Sequence, residues 1–172
     1  DCDYSINKAY KLAKIENSLN VKGTYFVNLH CRFYNIFEFE QTNLIKKIIQ
    51  LGHDIGLHFD AEYYTIKNTR QLEKKINLEK QILENFFDKK VTVFSFHNPD
   101  KFTLGLQEQK YGDLINCYSK KLTENVSYCS DSNGYWRHNR LEDFIEDNLD
   151  KNLHVLTHPG WWQTKEMQPR DR

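Results

Sequence analysis

Leu153-His154-Val155-Leu156-Thr157-His158-Pro159-Gly160-Trp161-Trp162 is the stretch on which the fold turns. Leu153, Val155 and Thr157 alternate as a strand requires, Pro159 and Gly160 stop it, and a histidine stands where it stops. In barrels of parallel strands the chemistry gathers at the strands' C-terminal ends, so His158 reads as a catalytic acid at a barrel mouth. A histidine stacked on Trp161 and Trp162 would be equally good as a structural residue if the pattern occurred once. It recurs in three other segments, each ending on polar, titratable or metal-competent groups.

Gly52-His53-Asp54-Ile55-Gly56-Leu57-His58-Phe59-Asp60 places an apolar pair between glycines and delivers His58, with Asp60 and Glu62 close behind. Imidazole and carboxylate are good ligands for zinc or a similar divalent ion. His53 begins the same strand, points to the opposite barrel end and reads as structural. Val93-Phe94-Ser95-Phe96-His97-Asn98-Pro99 repeats the design, with Pro99 forcing the chain out of the strand just after His97 and Asn98. Ser130-Asp131-Ser132-Asn133-Gly134-Tyr135-Trp136-Arg137 is a turn-forming cluster after a weak strand. Its Asp131 can orient a neighbour, and its aromatics can wall a sugar ring. At the start, Asp1-Cys2-Asp3 puts two carboxylates on one side of an extended segment. One suits metal ligation and the other suits taking a proton from metal-bound water.

Between these sites helix and strand patterns alternate. Ser5 caps a helix running through Ala9, Leu12, Ala13 and Leu19, and Thr24 to Leu29 is a strand. A helix from Thr42 to Leu51 ends at Gly52 before the strand His53 to His58, and the longest helix, Asn68 to Phe87, precedes the strand Val91 to Phe96. Asp100 to Glu124 is less regular. Val126 to Cys129 is a weak strand, Leu141 to Leu149 a helix, and Leu153 to Thr157 the last strand. Such alternation implies an α/β protein with parallel strands and helices outside. Five visible strands cannot close an eight-stranded barrel, and Asp1 reads as the end of another strand. The expectation is a distorted (β/α) barrel of about six to seven parallel strands in a single domain over residues 1–172, its first strand missing from the chain.

The 172 residues are 39% hydrophobic, enough for one globular core. Lysine plus arginine equal aspartate plus glutamate at 24 each, which removes the field that would draw the chain to nucleic acid or an anionic membrane. No apolar run approaches the roughly 20 residues of a membrane span. Cys2, Cys31, Cys117 and Cys129 lack the close pairing of a zinc ribbon or redox motif and read as free thiols. With no visible leader, that points to the cytoplasm, the periplasm and cell surface remaining open.

Taken in order, these segments resemble the polysaccharide deacetylases of carbohydrate esterase family 4, over nearly the whole chain. The resemblance implies a distorted barrel of parallel strands and metal-dependent hydrolysis of an N- or O-acetyl group on a sugar, which we associate with bacterial surface-polysaccharide metabolism. It makes Asp1 the base, Asp3 a ligand, His58 the first histidine ligand and His158 the proton donor to the leaving amine, with Asp131 orienting His158. Trp136, Tyr135, Trp161 and Asn98 become substrate-binding residues, and the cofactor one divalent ion, Zn2+. Two positions depart from the family. Its second metal histidine corresponds to Glu62, and the arginine of its third motif corresponds to His97. His97, on a neighbouring strand end, is the preferred third ligand, with Asp60 and then Glu62 as fallbacks. Two other functions stay open: a catalytically inactive sugar-binding protein on the same fold, and a metal-dependent amidohydrolase of a non-sugar amide.

Overall fold

The computed structural model describes residues 1–136 and 139–165. Helix α1 (Ile6–Ser18) begins where the Ser5 hydroxyl accepts from the Lys8 amide, and it buries Ile6, Ala9 and Ala13. Helix α2 (Phe39–Gln50) starts three residues ahead of Thr42, because the Glu38 carboxylate caps it by accepting from the Glu40 and Gln41 amides. Helix α3 (Thr69–Phe87) is capped by Asn68 and turns Leu72, Ile76 and Leu83 into the core at helical spacing.

These helices alternate with strands β1 (Thr24–Val27), β2 (Asp54–Phe59) and β3 (Val93–Phe96). The stretch that reads as irregular is ordered. It holds a short helix α4 (Lys101–Leu104), a hairpin of β4 (Lys110–Tyr111) and β5 (Leu114–Asn116), and a short helix α5 (Lys120–Thr123). Gly112, at φ 56°, supplies the left-handed backbone that a two-residue hairpin loop needs. Strand β6 (Ser127–Ser130), helix α6 (Leu141–Glu146) and strand β7 (Leu153–Leu156) complete the described chain.

Strands β1, β2, β3 and β5 pair in parallel and β4 pairs antiparallel to β5, in the order β1-β2-β3-β5-β4. Strands β6 and β7 form a separate parallel pair. The seven strands thus follow the expected α/β course with two differences: one strand is antiparallel, and no closed barrel forms among the described residues. The sheets meet at the start of the chain. The Cys2 amide donates to the Phe26 carbonyl at 2.9 Å, and the Asp1 amino group donates to the Thr157 carbonyl at 2.6 Å. His58, His97 and His158 consequently stand at the C-terminal ends of β2, β3 and β7.

His53, at the other end of β2, is a satisfied core residue: its Nδ1 accepts from the Gly23 amide and its Nε2 donates to the Ala13 carbonyl. No helix among the described residues is long and apolar enough to cross a membrane. Gly56 marks the tightest packing of the sheet. A Cβ there would stand 2.7 Å from Phe26 ring carbons and 3.1 Å from Val93 Cγ2. We expect Gly56→Ala to cost about 1–3 kcal/mol by overpacking, or a Tm drop of roughly 2–4 °C per kcal/mol. Thermal unfolding checks this, and an unchanged Tm would mean the Phe26 ring swings clear.

Candidate active site

Strand β2 ends by delivering His58, buried, toward the start of the chain. Its Nε2 lies 2.8 Å from Asp3 Oδ1 and 3.6 Å from Asp1 Oδ2. One ligand atom from each of Asp1, Asp3 and His58 can be chosen so that all lie within 4.8 Å of one another. Two of the carboxylate oxygens, Asp1 Oδ1 and Asp3 Oδ1, are buried without a hydrogen-bond partner. Asp3 Oδ1 is close to His58 Nε2 yet is left without a hydrogen-bond partner, as two ligand atoms around a shared cation would be. Buried carboxylates are ordinarily paired or bound to metal, so the residues present fit a divalent ion.

From the second sheet, His158 turns its Nε2 onto the same carboxylates, 3.5 Å from Asp3 Oδ2 and 3.7 Å from Asp1 Oδ2. Its Nδ1 is 2.7 Å from Asp131 Oδ1. Asp131 also accepts from the His158 amide and, through Oδ2, from the Trp162 indole N–H at 2.8 Å. Burial opposes ionisation of Asp131, but the His158 ring and amide and the Trp162 indole outweigh it and lower its pKa.

A cavity of about 190 Å³ opens on this cluster, with Asp1, Asp3, His58, His158, Asn98 and Trp161 in its wall. A second hollow of about 340 Å³, lined by Asp131, Trp136, Trp161 and Trp162, adjoins it. Of the residues expected from sequence, Asp1, Asp3, His58, Asp131, His158, Asn98, Trp136 and Trp161 therefore converge. Tyr135 is exposed and borders neither hollow.

The candidates for a third ligand fall differently. His97 packs edge-on to His58, ring centroids 5.3 Å apart, but its Nδ1 is 3.4 Å from Asp60 Oδ2 and its Nε2 is 3.3 Å from Asn98 Nδ2. Asp60 Oδ1 accepts from the Tyr63 amide, closing the turn after β2. Glu62 is exposed and borders a neighbouring groove with Asp100. All three lie outside the group of Asp1, Asp3 and His58 whose ligand atoms come within 4.8 Å of one another.

Two contributors escaped the sequence reading. Ser95 holds His58 from behind, its Oγ 2.7 Å from Nδ1. Alternation along β3 could have placed it beside His58, since Ser95 is the polar member of Phe94-Ser95-Phe96. Tyr4 borders the cavity and sets its ring edge-on to Trp161 at 4.7 Å. Glycine at 160 permits this, because a Cβ there would stand 2.8 Å from Tyr4 Cβ.

Strand-end histidines and buried carboxylates around one cavity mark an α/β protein with a group of side chains that could hold a cation. No protein-family model matches the chain, and no curated protein is similar to it in sequence. Among solved structures it is similar to a family 4 carbohydrate esterase from Streptomyces lividans in complex with acetate, at 15% identity and TM-score 0.56 over 92% of this chain and 74% of that one. It is also similar to a mutant of BA3943, described as a CE4 family pseudoenzyme with restored enzymatic activity, at 12% identity and TM-score 0.51. That match covers 92% of this chain and 54% of the other, so the present chain spans about half of its length. The chain has the polysaccharide deacetylase-like fold.

The lowered pKa of Asp131 has a stability consequence. Its stabilisation is present above about pH 4, the unfolded carboxylate value, and is lost as pH falls through the lower folded value. Asp131→Asn should lower Tm at neutral pH, with the gap to the wild type narrowing on acidification below about pH 4. Thermal unfolding of both proteins across that range checks the sign, and a gap independent of pH refutes it.

Proposed function

We propose that this protein is a metal-dependent carbohydrate deacetylase that hydrolyses an N- or O-acetyl group of a sugar in bacterial surface-polysaccharide metabolism. The observation that carries the reading is the convergence of Asp1 and Asp3 from the segment that joins the sheets, His58 from one sheet, and His158, held by Asp131, from the other, on a single cavity. Asp1, Asp3 and His58 would hold the ion, Zn2+ in our reading. When bound there, such an ion acidifies a water and polarises the acetyl carbonyl.

The remaining work falls to the chain's own groups. Asp1 Oδ1, buried and without a hydrogen-bond partner, accepts the proton of the attacking water. His158 holds a proton on Nε2 for the leaving nitrogen, while Asp131 fixes its Nδ1 and compensates the imidazolium. Trp136, Trp161 and Asn98 face the sugar. The indole walls supply apolar contact, and the Asn98 amide supplies hydrogen bonds that set orientation.

A second reading has its own observation in favour. Position 62 carries a glutamate that stays at the surface, and position 97 carries a histidine turned to Asp60. A family site short of its second histidine and its arginine suits a sugar-binding protein that has lost catalysis.

Acetate release from acetylated sugars separates the two. Under the enzyme reading, His158→Ala lowers turnover by about 10²–10⁴-fold and keeps its ion by elemental analysis, whereas Asp3→Ala loses the ion. Full activity in His158→Ala would remove that residue from the reaction. Sugar binding that ignores chelators, with no acetate released by the wild type, would select the binding protein.

A further inference from the structure

His58 has two ring nitrogens, and only an unprotonated one can ligate a cation. Nε2 faces Asp1 and Asp3, and Nδ1 faces Ser95. Ser95 is the register partner of His58 across the β2–β3 ladder, so sheet geometry alone brings the two side chains together. Both are buried, His58 at 2% and Ser95 at 5% exposure, which keeps water from competing for Nδ1. Among the described residues the Ser95 hydroxyl has no other hydrogen-bond partner.

A serine hydroxyl can donate or accept, so the contact alone allows either tautomer. The other side of the ring decides between them. If Nδ1 accepted from Ser95, Nε2 would carry the hydrogen and would align it on a buried carboxylate within reach. Asp3 Oδ1 is within reach at 2.8 Å and is not hydrogen-bonded. The arrangement fits an Nε2 lone pair beside two carboxylates, three donors that tolerate one another only around positive charge.

We infer that Ser95 is a positioning residue: by accepting from His58 Nδ1–H it fixes the tautomer that turns the Nε2 lone pair toward Asp1 and Asp3. This rests on the reading that Asp1, Asp3 and His58 hold a divalent ion, and it adds the residue that readies the imidazole for that role. Removing such an outer partner typically weakens metal binding about 10–100-fold. Threonine keeps the hydroxyl, and the apolar cavity of about 140 Å³ that Ser95 borders has room for its added methyl.

The test uses wild type, Ser95→Ala and Ser95→Thr, stripped of metal with a chelator and matched for folding by thermal midpoint. Zn2+ is titrated into each by calorimetry, and long-range proton–nitrogen NMR of the metal-free proteins reads the His58 tautomer. We expect hydrogen on Nδ1 in the wild type and in Ser95→Thr, with zinc affinities within a few-fold of each other. In Ser95→Ala we expect that preference to be lost and zinc affinity to fall about 10–100-fold. Equal zinc affinity in wild type and Ser95→Ala overturns the role of Ser95 and leaves the ion site standing. A wild type that binds no zinc overturns the ion site instead. The NMR readout then decides on Ser95 alone, hydrogen on Nε2 in the wild type overturning the inference.

Discussion

Two carboxylates buried side by side constrain everything around them. Asp1 and Asp3 point the same way from an extended segment, and between them they leave two oxygens without a hydrogen bond. Negative charge out of water is costly unless positive charge or donors meet it. The fold answers with imidazoles from both sheets: His58 approaches from β2 and His158 from the end of β7, each within 4 Å of both aspartates. The cavity, the tryptophan wall and the loops after β3 and β6 are arranged about that charge.

The same segment joins the sheets. Its backbone bonds to Phe26 at the end of β1 and to Thr157 just past β7, so the acidic side chains and the sheet seam are placed by the same three residues. Cys2, between the two aspartates, points to the core and is buried. Extended alternation therefore does two things in three positions: the middle side chain anchors the segment, and its neighbours face the cavity. A change at Cys2 would act on the site through the orientation of both aspartates.

Much of this was legible in the residues, and the failures have physical causes. Strand ends could be read because Pro159 and Pro99 stop strands, and apolar alternation marks where β2, β3 and β7 run. The helices showed through their caps and spacing, Ser5 and Asn68 above all. The hairpin of β4 and β5 was not legible, because strands of two and three residues are too short to show a period. Its available signal was Gly112-Asp113 between Tyr111 and Leu114, a two-residue loop of the hairpin kind. The antiparallel β4 follows from that missed turn, whereas the strands fall into two sheets because β6 and β7 pair only with each other. Where Asp60, Glu62 and His97 point could not be read from spacing, since all are near His58 in sequence or sheet. What separates them is three-dimensional: Asp60 closes a turn, His97 faces Asp60, and Glu62 stays in solvent.

The two histidines differ in what touches Nδ1. His58 meets a hydroxyl, a neutral partner that can fix a tautomer and adds no charge. His158 meets Asp131, a carboxylate itself held by the His158 amide and the Trp162 indole, so charge formed on this ring has a fixed counterpart. A ring backed by a hydroxyl suits a steady lone pair, and a ring backed by a carboxylate suits a proton that comes and goes. The difference between the two imidazoles therefore resides in Ser95 and Asp131, one register position on β3 and one turn after β6, as much as in the histidines.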